Sequence, residues 1–229
     1  LTVILKVDTT HTYSLYIYLL PGYVVGAFIC FWWFRWQRWR FRFLIAGGMS
    51  CFVIFFAILY FGISPDSTYE MLYLPIFFRG LGMLTLIIAF ALFAVEDLNP
   101  KYLLSNAFFL IIFRSVLAPI MATSFYSNVL YRLQQKYMYS LSETITAADP
   151  LSSARYSQSL NNAMTQGHPY DEAAQLATNS LYNTLQQQSL LLALKEILGY
   201  LLVISVVIAV ISRFIPFHKT IRVTFKKTG

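Results

Sequence analysis

Two arginines interrupt long apolar stretches of the sequence. Arg79 lies within residues 71–95 and Arg114 within residues 102–126, and neither stretch contains another charged residue. A charged side chain near the middle of a bilayer costs about 2.5 to 3.5 kcal/mol on insertion scales, and it is tolerated where it faces a water-filled cavity, another helix or a counter-ion. In a membrane these arginines would serve a substrate or proton pathway, or they would pair with carbonyls or acids of neighbouring helices.

Few other residues offer reactive chemistry. Glu96 and Asp97 close the stretch that holds Arg79, where an acidic pair can relay protons, although a solvated loop end is the more common use of such a pair. The three histidines are scattered, and Cys30 and Cys51 lie inside apolar runs without metal-ligand spacing. The sequence contains no GxSxG, HExxH or Walker motif. We therefore expect that the protein is not an enzyme and that it holds no metal or other cofactor.

Composition assigns the chain to a membrane. Of its 229 residues, 58% are hydrophobic and only 12% are charged, against about 25% charged in an average soluble domain. So little charge leaves too little polar surface to coat a water-soluble globule. The net charge of +7 gathers in short basic clusters beside apolar runs, without a nucleic-acid-binding motif. We expect a lipid bilayer as partner and no nucleic acid.

Five runs are long and apolar enough to cross a bilayer, which takes about 20 residues of helix. They cover residues 13–34, 43–65, 71–95, 102–126 and 193–214. Membrane β-strands are about ten residues long and alternate in polarity, whereas these runs are longer and apolar on all sides. The sequence therefore predicts an all-α, polytopic membrane protein with five transmembrane helices.

The distribution of basic residues predicts an orientation. The first connection carries Arg35, Arg38, Arg40 and Arg42 without an acidic residue. The chain ends with a basic segment, residues 217–229. Lysine and arginine accumulate in cytoplasmic segments. Strict alternation of five helices then predicts an external start and a cytoplasmic C-terminus.

The predicted organisation has four parts. Residues 1–126 hold the first four transmembrane helices, residues 127–189 an external (periplasmic) helical loop, residues 190–216 the last transmembrane helix, and residues 217–229 a basic cytoplasmic tail. The chain begins with Leu1 rather than methionine, and we expect it to be a fragment of a longer protein.

The long loop contains its own helix signals. Asp149-Pro150 is typical of a helix cap followed by proline at the first helical position. Gly167-His168-Pro169 predicts a break. After Tyr170 no residue stops a helix before the last span, so the sequence predicts one long helix that projects beyond the membrane.

Short motifs in these helices resemble one family of membrane proteins. Phe78-Arg79-Gly80-Leu81-Gly82 resembles an RGxG helix opening, and Ser105-Asn106-Ala107 followed by Phe113-Arg114-Ser115 resembles an NAS…NFxR(T/S) pattern. Both patterns, with a long Gln-, Asn- and Ala-rich loop before the last helix and a basic tail, are similar to the 14-helix drug:proton antiporter branch of the major facilitator superfamily. One departure is that the family continues with glycines after the arginine, whereas residues 115–123 read SVLAPIMAT.

The resemblance implies a fold and a function. It implies five helices of a major facilitator-type bundle, from the C-terminal part of a multidrug efflux permease of the inner membrane. Such permeases export drugs or other small amphiphilic compounds, driven by protons, and often work with a periplasmic adaptor and an outer-membrane channel. By that analogy Arg79, Asn106 and Arg114 line or support the central cavity, as a substrate or proton pathway.

A second hypothesis is a non-transporting membrane scaffold or assembly subunit, which would use the same helices and the external loop for protein contacts only. Arg114 discriminates between the two, because a scaffold does not need a cationic group that faces water at mid-bilayer.

Overall fold

The computed structural model describes residues 9–36, 41–64, 69–96, 100–144 and 150–214. Over these ranges the chain is helical and contains no β-strand, which confirms the predicted all-α class. Several residues of the predictions above lie outside the described residues: Arg38, Arg40, Asp97, Asp149 and the basic tail 217–229.

Seven α-helices are described, and we number them in chain order. They are α1 (Thr9–Trp36), α2 (Phe41–Gly62), α3 (Tyr73–Glu96), α4 (Leu103–Ile112), α5 (Ala118–Thr144), α6 (Pro150–Thr165) and α7 (Tyr170–Phe214). Short 3-10 turns at Tyr69–Leu72 and Pro100–Tyr102 lead into α3 and α4. A π-helical turn at Phe113–Leu117 joins α4 to α5.

Within the described residues, five helical stretches are long and apolar enough to cross a membrane: Leu15–Arg35, Phe43–Gly62, Glu70–Leu92, Leu104–Glu143 and Tyr170–Phe214. Each overlaps one of the predicted spans, in agreement with a polytopic membrane protein. The last two stretches contain 40 and 45 residues. At 1.5 Å per residue they are about 60 and 68 Å long, roughly twice the thickness of the hydrocarbon core.

Two of the predicted domain boundaries fall within continuous helices rather than at helix ends. The boundary after residue 126 falls inside α5, and the boundary after residue 189 falls inside α7. α7 begins at Tyr170 and is continuous, as the lack of a helix breaker predicts. By its internal packing the chain divides into two compact units, one formed by Leu1–Pro119 with Leu198–Gly229 and the other by Ile120–Ile197.

In the first unit, glycines let α3 approach two neighbouring helices closely. A Cβ on Gly80 would lie 2.7 Å from the carbonyl oxygen of Leu19 in α1. On the other side, a Cβ on Gly82 would lie 2.9 Å from the carbonyl oxygen of Gly48 in α2. Small residues bring backbones together where helices associate in lipid, so these glycines fix α3 between α1 and α2.

The three helices also share a small buried core, formed by Cys30, Leu44, Ile45 and Ala89. These residues come from the C-terminal part of α1, the N-terminal part of α2 and the C-terminal part of α3. It follows that α1 and α3 run in the same direction and that α2 runs against them.

In the second unit, α6 and α7 form a tight helical hairpin. The amide of His168 donates to the carbonyl of Ala163 and the amide of Gly167 donates to that of Met164, the hydrogen-bond pattern of a Schellman turn. Gly167 has a φ of 92°, in the left-handed region that glycine adopts without strain. The break predicted at Gly167-His168-Pro169 is therefore confirmed, and the short connection keeps the end of α6 close to the start of α7.

Many buried residues of α7 in this unit recur at a spacing of four residues, in a row that winds slowly around the helix. The buried residues at this spacing are Ala173, Ala177, Leu185, Ser189, Ala193 and Ile197. A row at this spacing forms a ridge that packs into the groove of a neighbouring helix. A polar contact adds to it, because the Tyr137 hydroxyl of α5 donates to Oε2 of Glu196 in α7 at 2.7 Å.

Candidate functional site

One side of α3 carries a stripe of residues that line two cavities of the first unit. The stripe consists of Ile76, Arg79, Met83, Leu86 and Phe90, which follow one another at steps of three or four residues. Since a helix turns by about 100° per residue, these positions fall within about 80° of arc and extend over about 21 Å. We call them the α3 stripe.

The first cavity has a volume of about 200 Å³ and contains Arg79. It is formed by α1, α2 and the N-terminal part of α3 with its preceding turn. Its other described lining residues are Leu15, Tyr16, Leu19, Phe55, Leu59, Leu72 and Ile76. Arg79 is exposed and is the charged member of this apolar lining. We call it the Arg79 cavity.

The second cavity has a volume of about 360 Å³ and contains Arg114. It lies between α2, the C-terminal part of α3 and the helix that holds α4 and the π turn. Its other described lining residues are Phe52, Met83, Leu86, Ile87, Phe90, Ala91 and Leu110. We call it the Arg114 cavity. Neither described lining contains a carboxylate, so each cavity combines an apolar wall with a positive charge.

The Arg-Gly-Leu-Gly sequence at the start of α3 gives its arginine and glycines different roles. From the centre of the α3 stripe, Gly80 lies about 80° to one side and Gly82 about 80° to the other. Gly80 contacts α1 and Gly82 contacts α2, whereas Arg79 lines the cavity between these helices. The two glycines therefore let α1 and α2 approach α3 closely on either side of the α3 stripe. Arg79 places a positive charge on the stripe itself.

Arg114 lies in the π-helical turn. In this turn the amide of Ala118 donates to the carbonyl of Phe113, five residues earlier. Pro119 follows, and a proline ring crowds the carbonyl four residues before it, here that of Ser115. A wider turn makes room for that ring, and π turns are frequent at functional sites. The turn was not predicted above, and the signal for it in the sequence is Pro119.

The structure separates the three residues predicted to line or support a central cavity. Arg79 and Arg114 line different cavities along the same stripe. Asn106 is half-buried in α4, about two turns before Arg114, and it does not belong to the described lining of either cavity. Two of the three predicted residues therefore line cavities that border one face of α3, Arg79 from α3 itself and Arg114 from the π turn.

Four residues that the sequence did not single out stand between the two cavities. The Tyr23 hydroxyl of α1 donates to Sδ of Met83 at 3.4 Å, and Met83 is one turn beyond Arg79 on the stripe. On α2, Phe55 lines the Arg79 cavity and Phe52 the Arg114 cavity, with their rings edge to face at 6.4 Å. We call these four residues the septum. In the sequence they are indistinguishable from ordinary packing residues of apolar helices.

Elsewhere in the part of the chain that the structure describes, polar residues do not form a second site that combines a charged group with an apolar cavity. No group of three or more His, Cys, Asp or Glu side chains is placed to hold a metal ion there. His168 and Glu172 lie 3.3 Å apart at the turn between α6 and α7, His168 just before the start of α7 and Glu172 in its first turn.

No protein family, curated protein or solved structure matches this chain. The resemblance to drug:proton antiporters therefore rests on the motifs and the order of segments in the sequence alone.

Proposed function

We propose that the protein is a secondary active transporter that exports drugs or other small amphiphilic compounds, driven by protons. The observation that carries the proposal is the α3 stripe, along which two apolar cavities each hold one arginine. Sites for small amphiphilic molecules are concave and mostly apolar, with a few polar groups that fix the orientation of the ligand. The α3 stripe combines apolar side chains with a charged one in this way, and its length of about 21 Å covers most of the hydrocarbon thickness of a bilayer.

The cost of the two charges supports the same proposal. Among the described residues neither Arg79 nor Arg114 forms an ion pair, and each would cost about 2.5 to 3.5 kcal/mol at the centre of a bilayer. Charges that a membrane protein retains at such a cost face a water-filled cavity and commonly mark a substrate or ion pathway. In the proposed transporter Arg79 and Arg114 orient the substrate, and Asn106 supports the helix that carries Arg114.

Proton coupling needs a different group. Arginine is not a proton carrier in proteins, because its guanidinium group is not deprotonated there. We therefore place the exchanged proton on a titratable residue outside the two cavity linings.

The proposed location is an inner membrane, with the C-terminus in the cytoplasm, because the first connection and the tail are basic. This orientation assigns the polar segment between the last two spans to the periplasm. There, the helical hairpin of α6 and α7 is available to a periplasmic adaptor that leads to an outer-membrane channel.

Dye export from energised cells tests the proposal. Cells that produce the protein are loaded with a fluorescent amphiphile, and efflux is followed with and without a protonophore. We expect gradient-dependent efflux that Arg114→Gln lowers about tenfold or more, since a contact to a charged group contributes about 1.5 to 3 kcal/mol. Arg132→Gln is the matched control, because Arg132 is exposed on α5 and lines neither cavity. Membrane levels of the variants are equalised by immunoblotting.

The exposed apolar surface of α4 favours the alternative, a non-transporting scaffold or assembly subunit. Phe108 and Ile111 are exposed there, as is Phe113 in the adjoining π turn, and such a surface can hold another membrane helix. A scaffold requires that cells with and without the protein clear the dye at the same rate. The Arg114→Gln substitution would then alter recovery of a protein complex instead of any flux.

A further inference from the structure

We propose that the Arg79 cavity and the Arg114 cavity are two subsites for anionic amphiphiles, kept apart by the septum. The inference rests on the proposed function for the kind of ligand. It adds the charge of that ligand and the residues that limit its length.

The charge of the ligand follows from the lining of each cavity. A single guanidinium lies among apolar side chains, without a carboxylate in the described linings and without an ion pair among the described residues. A cationic amphiphile would meet a like charge there, whereas an anionic group would form a charge-assisted hydrogen bond with the arginine. Each subsite therefore favours an apolar body that carries one negative charge.

The continuity of the α3 stripe relates the two subsites to each other. Arg79 and Met83 are four residues apart, which corresponds to about 6 Å along the helix axis. Met83 is thus the first stripe residue of the Arg114 cavity, directly beyond the charged residue of the Arg79 cavity. A ligand that extended from one arginine toward the other along the stripe would meet the Met83 side chain.

The contact that holds Met83 is weak and can be broken. A thioether sulfur is a poor hydrogen-bond acceptor, and the Tyr23 hydroxyl lies 3.4 Å from it. Methionine is also the most adaptable of the large apolar side chains. The septum is therefore a movable partition. With Met83 in place each subsite takes a compact ligand, and with Met83 displaced one elongated ligand with two anionic groups can reach both arginines.

Two related dyes provide the test. Anilinonaphthalene sulfonate has one sulfonate on a compact aromatic body, and its covalent dimer has two sulfonates on a body of twice the size. Both fluoresce more strongly in an apolar site. Binding is titrated on the purified protein in nanodiscs of zwitterionic lipid, with empty nanodiscs as the background.

We expect the single dye to bind the unsubstituted protein and the dimer to bind it more weakly. Met83→Ala should raise the affinity for the dimer about tenfold, which is about 1.4 kcal/mol, and should lower the affinity for the single dye, because Met83 lines the Arg114 cavity. In the Met83→Ala background, Arg79→Gln and Arg114→Gln should each reverse the gain. Tyr23→Phe keeps the ring and should give a smaller gain of the same sign.

Met49→Ala is the matched control, since Met49 packs against the core of the first unit and lines neither cavity. If the unsubstituted protein, Met83→Ala and Met49→Ala all bind the dimer with equal affinity, the proposal that the septum separates the two subsites is overturned. Binding of both dyes that neither arginine substitution changes would overturn the preference for anions. If the dye results are as expected while cells show no gradient-dependent efflux, the subsites stand and the transport proposal fails.

Discussion

Gly22 of α1 and Gly80 of α3 are in backbone contact, and each occupies the space that a side chain on the other would need. A Cβ on Gly22 would lie 3.2 Å from the Cα of Gly80, and a Cβ on Gly80 would lie 3.4 Å from the Cα of Gly22. The contact is one residue away from Arg79. The approach of α1 to α3 therefore also sets the width of the cavity that holds this arginine.

Replacing Gly80 by alanine should separate α1 from α3. The added methyl group would meet the carbonyl oxygen of Leu19 at 2.7 Å, and backbone atoms cannot rotate away as a side chain can. We expect a loss of about 1 to 3 kcal/mol in the free energy of unfolding, the usual cost of overpacking. Thermal unfolding of the purified protein in detergent measures it. Gly47→Ala is the control, since a Cβ on Gly47 has no heavy atom within 4 Å, and equal losses in the two variants would contradict the contact.

Replacing Gly167 by alanine should destabilise the hairpin of α6 and α7 through the backbone alone. A Cβ at this position meets nothing within 4 Å, but φ is 92°. A residue with a Cβ in a left-handed conformation costs about 1 to 2 kcal/mol. Hydrogen exchange of the amides in α6 and the start of α7 should become faster. Gly167→Asn should accelerate exchange less, because asparagine tolerates the left-handed region better; the opposite order would refute the explanation.

Replacing Ala177 by leucine should disrupt the buried side of α7. Ala177 is 1% exposed, and the larger side chain has no free volume in the row of residues at spacing four. We expect a loss of about 1 to 3 kcal/mol, seen as faster proteolysis within residues 120–197. Ala154→Leu, on the exposed side of α6, is the control and should leave the rate of proteolysis unchanged. If both variants resist proteolysis to the same degree, the proposed packing of α7 is excluded.

Replacing Tyr137 by phenylalanine should weaken the link between α5 and α7. The substitution removes the hydroxyl that donates to Glu196 at 2.7 Å, and a hydrogen bond to a charged group contributes about 1.5 to 3 kcal/mol. The unfolding midpoint in denaturant should fall accordingly. Tyr139→Phe serves for comparison, since Tyr139 is 68% exposed. A midpoint that both substitutions lower equally would assign the effect to solvation of the phenol rather than to the hydrogen bond.

The helices of this protein could be predicted from the sequence because their solvent is lipid. A run such as residues 43–65 has to satisfy its backbone groups internally, and a helix is the way for a single segment to do so. Residues that break a helix can also be recognised in the sequence, so the turn at Gly167 and the start of α7 at Tyr170 could be predicted. The two arginines could also be singled out, since a charge in an apolar run is costly wherever the helix packs.

The tertiary structure decided which residues face one another. A helix that is apolar on all sides carries no hydrophobic face from which its neighbours can be deduced, so the placement of Arg79 and Arg114 on two cavities along one stripe could not be predicted. The same is true of Gly80 and Gly82, which differ only in the helix that each of them contacts. The reason is that side-chain packing between segments distant in the chain sets these contacts, and the composition of a single segment does not encode it.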